Sequence, residues 1–215
     1  VELRSPRLPP PVLAPARGPV LLASAYLEIL RRPWARVVLV AVFIEGAFFY
    51  GGLAFVGAFA HEQRGLAYAS VGLVLAFFGV GGFAYALSVR PLVRRLGERG
   101  LARTGGPLLA GGFLAVLLAP GGAWLAPGMM LVGIGFYMLH NTLQTNATQM
   151  APEARGIAVS VFACALFLGQ ATGVALMGLV VDRIGYAAAL LAAAVALAVL
   201  GPAFAALLVR RPAGG

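Results

Sequence analysis

The stretch of sequence that decides the fold runs from His140 to Gly185. It begins HNTLQTNATQMAPEARG (140–156), continues through an apolar run that contains GQATG (169–173), and ends GLVVDRIG (178–185). Amides, a histidine and a charged Asp-Arg turn are therefore set among segments apolar enough to enter a membrane. Polar groups are costly in lipid and persist where they face a protein interior or a water-filled path. The stretch indicates a membrane protein that handles a solute rather than an inert anchor.

The composition also favours a membrane location. The 215 residues are 61% hydrophobic and 11% charged, with a mean hydropathy of +0.93, whereas a soluble domain is about 25% charged. The single cysteine, Cys164, excludes a disulfide within the chain. No CxxC motif or His/Cys cluster suggests a metal, and we expect no cofactor. The net charge of +9 comes from arginines at the ends of apolar runs, which favours a lipid bilayer over nucleic acid as the partner.

Six segments approach the length of about 20 apolar residues that a membrane-spanning helix needs. They cover 36–60, 68–89, 101–119, 124–144 with a polar extension to 149, 156–181 and 186–209. Because the connections are too short to hold a soluble domain, the sequence predicts an all-α protein with one six-helix transmembrane bundle.

The same segments divide the chain into an arm, a bundle and a tail. We expect a cytoplasmic arm at 1–35, the transmembrane bundle at 36–211 and a cytoplasmic tail at 212–215. Within the arm, LLASAYLEILRR (21–32) predicts a short surface helix that Pro33 ends. The valine at position 1 and the proline-rich arm lack the layout of a signal peptide, so the chain is either a product whose start codon was read as valine or a fragment.

The arginine distribution predicts the orientation. All 16 basic residues are arginine, and 14 of them lie in or directly beside the arm, the connections at 90–100 and 151–155, and the tail. Only Arg64 and Arg183 lie in the connections on the other side. Arginine-rich short loops stay in the cytoplasm. The sequence therefore predicts a multi-pass protein of the cell (inner) membrane with both termini cytoplasmic, as an even number of spans requires.

These segments resemble the C-terminal six-helix half of a major facilitator superfamily transporter, most like bacterial drug or sugar efflux members. The resemblance covers about 26–211. Its motifs are YLEILRRPWARVVLV (26–40), PLVRRLGERG (91–100), the stretch from HNTLQT to GQATG (140–173), and GLVVDRIGY (178–186). It implies alternating access, and an efflux antiporter whose small-molecule path runs between this bundle and an N-terminal six-helix half that this chain lacks.

The loop pattern of that family, Gly-x-x-x-Asp-Arg-x-Gly, occurs here in two versions. The complete version consists of Gly178, Asp182, Arg183 and Gly185. In the arginine-rich connection, Arg94 stands where the aspartate belongs, before Arg95 and Gly97, which argues against an aspartate-based gate latch in this half. Both versions follow the second helix of a three-helix unit, on opposite predicted sides, as an inverted three-plus-three repeat requires.

Glu45 is the main candidate for the transport chemistry. It lies about nine residues into the first span, and an ionisable residue at that depth is by default a functional hypothesis. It can take up and release a proton, which is the predicted coupling ion, or offset the charge of a cationic substrate. The alternative is a structural carboxyl group hydrogen-bonded to a neighbouring helix. Phe48, Phe49 and Tyr50 follow it and either line an apolar cavity or pack against lipid and core.

A polar stripe on the fourth span is the second candidate. It consists of Asn141, Gln144, Thr145 and Thr148, which share one helical face. A gating or structural role and direct solute binding are both open for this stripe, and part of it is interfacial. His140 beside it either titrates near neutral pH or is a structural hydrogen-bonding residue.

Gln170 lies in the middle of the fifth span, where it replaces the proline of the Gly-Pro-x-x-Gly element found in antiporters of the family, so a proline kink is not assured. It either reaches the central cavity or bonds across helices. Gly169, Gly173 and Gly178 near it predict close helix packing.

The remaining charged residues have local interpretations. We expect Arg155 and Glu153 to form a topological and helix-capping pair, and Asp182 and Arg183 to form a local ion pair. Arg94, Arg95 and Arg99 are interpreted as positive-inside anchors.

The sequence as a whole predicts proton-driven efflux of a small organic molecule. A six-helix membrane protein that homodimerises or acts as a scaffold is the alternative. No catalytic Ser-His or metal constellation is recognisable in the sequence, so a membrane enzyme is the weaker class.

Overall fold

The computed structural model describes residues 26–211, which form long helices joined by short turns. Five long helices are α1 (Pro33–Glu62), α2 (Tyr68–Leu117), α3 (Leu125–Gln149), α4 (Arg155–Arg183) and α5 (Tyr186–Leu207). Single 3-10 turns lie at Gly122–Trp124, Pro152–Ala154 and Leu208–Arg210. No residue from 26 to 211 is in a β-strand, which confirms the predicted all-α fold.

Helix α2 contains two of the predicted spans. Its 50 residues would extend about 75 Å as a straight helix, more than twice the hydrocarbon thickness of about 30 Å. The backbone leaves the helical conformation at Gly97, with φ 62 and ψ 179, so α2 consists of a first arm (68–96) and a second arm (98–117). The arginine-rich connection expected at 90–100 is therefore a sharp break between two helical arms rather than a loop.

Gly185 has a backbone conformation similar to that of Gly97. It lies between α4 and α5 with φ 110 and ψ 169. Both glycines combine a positive φ with an extended ψ, which glycine adopts at little steric cost because it has no Cβ. They are the equivalent positions of the predicted three-plus-three repeat, and their matching geometry supports that repeat.

Glycines bring α1 and α4 into backbone contact. A Cβ added at Gly173 would collide with the carbonyl oxygen of Ala47, and one at Gly169 would collide with that of Phe43. From the other side, a Cβ at Gly46 would collide with the carbonyl oxygen of Leu166. The close packing predicted for these glycines is confirmed at Gly169 and Gly173 and is wrong at Gly178, where a Cβ would make only an ordinary contact.

Close contacts at glycines also join the other helices of the bundle. Gly112 on the second arm of α2 packs against Gly128 of α3, and Gly106 on that arm packs against Gly201 of α5. Helix α3 lies against both arms of α2, while α5 lies against the second arm and α1. A continuous apolar core that draws on all five helices results.

Side chains at the two ends of the bundle agree with the predicted grouping of the connections. At the arginine-rich end, Arg32 is ion-paired with Glu153, and Arg211 lies 3.7 Å from Glu98. At the opposite end, the Tyr186 hydroxyl donates to Glu62 at 3.0 Å. Groups that the arginine count assigned to one side of the membrane therefore meet at one end of the bundle.

The short helix before α1 is described only in part. Residues 26–31 are helical, and Arg32 forms a bend before Pro33. Pro33 is the first residue of α1, where its missing N–H costs nothing. Ile29 is buried in the core, so this helix is anchored to the bundle. The predicted residues 21–25, the rest of the arm and the tail at 212–215 lie outside the described residues.

We predict that Gly173→Ala destabilises the bundle by about 1–3 kcal/mol, the usual cost of overpacking a close contact. Gly111→Ala is the matched control, because nothing lies within 4 Å of a Cβ at that helical position. Thermal unfolding in detergent, followed by circular dichroism, measures both. Equal melting temperatures for the two variants would contradict the tight α1–α4 crossing.

Candidate functional site

A hydrogen-bonded pair joins the buried carboxyl group of α1 to the histidine of α3. His140 Nδ1 lies 2.7 Å from Glu45 Oε2. The side chain of Glu45 is 0% exposed and that of His140 is 14% exposed. Sequence reasoning identified both residues and did not pair them, because 95 positions separate them and no local pattern reports which helix faces meet.

The pair solves the electrostatic problem of a carboxyl group inside an apolar bundle. An isolated buried carboxylate is strongly unfavourable. Beside His140, the two groups sharing one titrating proton carry no net charge in either arrangement: a carboxylic acid with a neutral imidazole, or a carboxylate that accepts from an imidazolium. The proton can therefore change place within the pair without leaving an uncompensated charge.

One oxygen of Glu45 has no hydrogen-bond partner. Glu45 Oε1 is buried and no donor from the described part of the chain reaches it. A buried polar atom without a partner costs roughly 1–3 kcal/mol. When it is protonated, this oxygen can donate a hydrogen bond, and when it is not, it can accept one from a water or a solute. Glu45 Oε1 is therefore the atom of the pair whose hydrogen-bonding capacity the described residues leave unused.

Aromatic rings hold His140 in place. Its ring stacks on Phe136 at 4.9 Å between centroids and 13° between planes, and Phe162 lies 5.7 Å away. Phe136 stacks in turn on Phe49 at 4.0 Å. Such ring faces favour a positively charged imidazolium through cation–π attraction. The sequence left open whether Phe49 lines a cavity, and the structure buries it in the core at 1% exposure.

Tyr50 lies at the edge of this aromatic group. It is half-buried, with its ring 4.7 Å from that of Phe49 and 6.3 Å from that of Phe136. It is therefore adjacent to the rings that support the pair.

Asn141 faces an open cavity of about 540 Å³ between the first arm of α2 and α3. The lining residues are Gly79, Gly82, Phe83, Tyr85, Ala86, Val89, Tyr137 and Asn141. The ring of Tyr137 lies 5.3 Å from that of Phe136, which supports His140. The cavity and the pair therefore draw on the same short segment of α3, residues 136–141.

The rest of the polar stripe does not reach this cavity. Gln144 and Thr145 are exposed, and the hydroxyl groups of Thr145 and Thr148 donate to carbonyl oxygens of their own helix, at 2.8 Å and 2.7 Å. The hydrogen-bonding capacity of these two hydroxyl groups is therefore used within α3. Of the four stripe residues, only Asn141 lines the cavity.

Gln170 is half-buried at the α1–α4 crossing. Its backbone N would lie 3.2 Å from a Cβ at Gly46, the residue after Glu45. Within 26–211 its side chain makes no hydrogen bond, so the cross-helix bond is not formed with any described residue.

Two predicted charge pairs are wrong. Glu153 pairs with Arg32 across the end of the bundle instead of with Arg155, which is exposed, and no side chain caps α4. A hydrogen bond from its own backbone N–H and another from the Arg32 guanidinium hold the pKa of Glu153 below its ordinary value. Asp182 and Arg183 are both exposed, and no ion pair joins them; adjacent helical side chains do not face each other.

The other loop-motif residues lie at the surface or at the breaks. Arg94 and Arg95 are exposed on the first arm of α2. Gly97 and Gly185 form the two helix breaks described above. A Cβ at Gly178 would lie 3.6 Å from Phe55, an ordinary contact, so that glycine does not mark a tight crossing.

Sequence reasoning missed two arginines that hold the end of α3. Arg32 donates to the carbonyl oxygen of Met150 at 3.1 Å. Arg211 donates to the side-chain oxygens of Gln149 and Asn146. Carbonyls at a helix C-terminus lack partners within the helix and attract positive charge. Nothing in the sequence around Arg32 or Arg211 indicates that these arginines reach the end of α3.

The five helices are each long and apolar enough to cross a membrane, and they enclose a buried ionisable pair, a combination typical of membrane proteins that move ions or solutes. The comparison with family models agrees, since the model of the Major Facilitator Superfamily matches residues 3–169. The chain belongs to the Major Facilitator Superfamily. Neither the curated proteins nor the solved structures gave a match.

We predict that His140→Ala destabilises the protein by about 3 kcal/mol at neutral pH, because removing one member of a buried pair leaves the other uncompensated. Glu45→Gln in the His140→Ala background is expected to recover part of that loss. Chemical unfolding of the two single variants and the double variant measures the coupling.

Glu62→Gln is the matched control for the Glu45 substitution, since Glu62 bonds Tyr186 at the exposed end of the bundle and exposed pairs contribute about 0–1 kcal/mol. Strictly additive effects of the Glu45 and His140 substitutions would show that the two side chains do not interact.

Proposed function

We propose that this chain forms one six-helix bundle of a two-bundle transporter that moves a small organic solute by alternating access, coupled to protons. The observation that carries the proposal is the buried Glu45–His140 pair. Ionisable groups within the membrane mark proton relays and ion pathways, because their cost in lipid is otherwise unfavourable.

The proposed proton carrier is Glu45, with His140 as its partner. Because the pair keeps zero net charge while one proton moves within it, the loaded pair fits a closed, apolar interior. Release of that proton leaves a net negative charge, which is tolerated only when the site opens to water or to a cationic group. Proton release is therefore tied to opening, which is what coupling to an alternating-access cycle requires.

The proposed solute site is the cavity between the first arm of α2 and α3. Its volume of about 540 Å³ lies within the range of roughly 300–1,000 Å³ for small-molecule sites. Among the described residues its lining is apolar apart from the hydroxyl groups of Tyr85 and Tyr137 and the amide of Asn141, with no charged side chain. This lining favours a largely apolar solute with one or two hydrogen-bonding groups.

The α3 segment 136–141 is the proposed link between solute and proton. Tyr137 and Asn141 line the cavity, while His140 belongs to the pair and Phe136 stacks on its ring. A solute that shifts this turn of α3 changes the distance between His140 and Glu45. Tyr50 and Gln170, both half-buried, are proposed to contact the solute from the α1 and α4 sides when the second bundle closes over them.

The proposed orientation puts the arginine-rich end in the cytoplasm of a cell (inner) membrane, because arginine-rich short connections are retained there. Efflux, with antiport of protons, is the direction that resemblance to drug and sugar exporters favours. Gly97 and Gly185 are the proposed hinge points, with Arg94, Arg95 and Arg183 as surface anchors beside them.

The transport test uses the complete gene product that contains this chain, reconstituted in liposomes with an internal pH-sensitive dye. We expect proton movement when members of a panel of small aromatic solutes are added, and solute accumulation driven by an imposed pH gradient. Glu45→Gln should abolish the gradient-driven accumulation while retaining solute exchange, because the solute cavity is intact.

Glu62→Gln is again the control and should transport normally. Gradient-driven accumulation that survives Glu45→Gln would contradict the assignment of Glu45. A wild-type protein that moves no solute and forms a stable homodimer would support the scaffold alternative.

A further inference from the structure

Two adjoining cavities open on the face of the bundle between α1 and α5, at its arginine-rich end. They have volumes of about 480 Å³ and 220 Å³ and share Pro33, Val37 and Leu207. Together they form one depression, called here the α1/α5 groove. It is separate from the Glu45–His140 pair and from the cavity that Asn141 lines, so the proposed function leaves it unassigned.

The shape and lining of the groove fit a hydrocarbon chain. Its α1 wall runs from Arg36 to Ile44, a rise of about 12 Å along a helix. Val40 and Phe204 lie along it. Apart from the arginines and Trp34, the lining from the described part of the chain is aliphatic or aromatic, so the floor of the groove offers dispersion contacts rather than hydrogen bonds.

The mouth of the groove is positively charged. Arg36 lines the larger cavity and Arg210 the smaller one, and both residues are exposed. Neither belongs to an ion pair formed by residues 26–211, in contrast to Arg32 and Arg211, which are engaged with the end of α3. Two arginines without a described carboxylate partner thus lie where the groove meets the bundle end.

Trp34 adds an unsatisfied donor at the same place. It lines the smaller cavity and is 8% exposed. Its indole nitrogen is buried without a hydrogen-bond acceptor from the described residues. An indole N–H that is buried usually finds a partner, so Trp34 leaves a hydrogen-bonding capacity unused beside the groove.

We propose that the α1/α5 groove binds an anionic phospholipid from the bilayer. One acyl chain lies along Val37, Val40 and Phe204. The phosphate lies between Arg36 and Arg210, on the side of the groove that Trp34 lines. Basic clefts between membrane helices attract anionic headgroups.

Charge decides against the other occupants. A second copy of the chain would bring its own Arg36 and Arg210 toward the same mouth. The arm that precedes α1 carries Arg4, Arg7 and Arg17, which adds positive charge to a positive site. An anionic lipid supplies the opposite charge and the hydrocarbon together.

The test uses Trp34 as a local reporter. Trp124, the other tryptophan, is exposed beyond the groove, before α3, so Trp124→Phe leaves Trp34 as the only tryptophan. This variant is reconstituted in vesicles that contain a small fraction of phosphatidylglycerol or of phosphatidylcholine with brominated acyl chains, which quench a nearby tryptophan. We expect stronger quenching of Trp34 by brominated phosphatidylglycerol, with an apparent affinity preference of about five-fold for each arginine.

Arg36→Gln with Arg210→Gln should remove that preference. Arg94→Gln with Arg95→Gln is the matched control, because it removes the same positive charge from two exposed arginines that do not line the groove. This control should leave the preference in place. Circular dichroism on each variant verifies helical content. Should the arginine variant misfold, Val40→Phe with both arginines retained provides a second reading. The larger ring is expected to fill part of the groove and to reduce quenching of Trp34 by phosphatidylglycerol, without adding a second tryptophan.

Equal quenching by the two lipids would overturn the proposal, as would a preference that the control pair removes as completely as the groove pair. Absence of quenching by either lipid would also overturn it, since it would mean that protein or another copy of the chain covers the groove.

Discussion

The structure depends on one electrostatic constraint, a carboxyl group enclosed in an apolar bundle. Glu45 is fully buried on α1, and a carboxylate there is tolerable only beside a group that offsets its charge. His140 on α3 supplies that group at 2.7 Å. The contact fixes the rotation of both helices, because each has only one face that can point at the other. The aromatic rings of Phe49 and Phe136 then fill the space around the pair.

The glycine crossings explain how the bundle can hold such a pair without filling the space with large side chains. Lipid provides no hydrophobic drive for one membrane helix to join another, so packing and polar contacts carry the association. At Gly46, Gly169 and Gly173 the backbones of α1 and α4 touch, immediately beside Glu45. Close backbone contact on one side of α1 leaves its other side free to reach α3.

Much of the fold could be predicted from the sequence because the signals are local. Apolar length locates the spans, and arginine position sorts the connections into two sets. The large break at Gly97 was predicted as a loop because Pro91 and the arginines around it are typical of connections, and the helix continues to that glycine in spite of them.

The site could be predicted only as separate candidates. Glu45 attracts notice because a carboxyl group is rare at that depth, but its partner depends on how α1 and α3 rotate, which no spacing in the sequence reports. The same limit explains the wrong charge pairs: Glu153 was assigned to its sequence neighbour Arg155, whereas Arg32, 121 positions away, reaches it across the bundle end. Pairing charges by their separation in the sequence gives wrong partners where the fold brings the ends of distant helices together.

The central claim is that Glu45 and His140 share a proton inside the membrane. Difference infrared spectroscopy of the purified protein in lipid, recorded across a pH titration, tests it most directly. The account predicts a protonated-carboxyl band that is missing in Glu45→Gln, and that changes together with an imidazole band that is missing in His140→Gln. If the spectrum of Glu45→Gln retains every titrating carboxyl band of the wild-type spectrum, the account is contradicted.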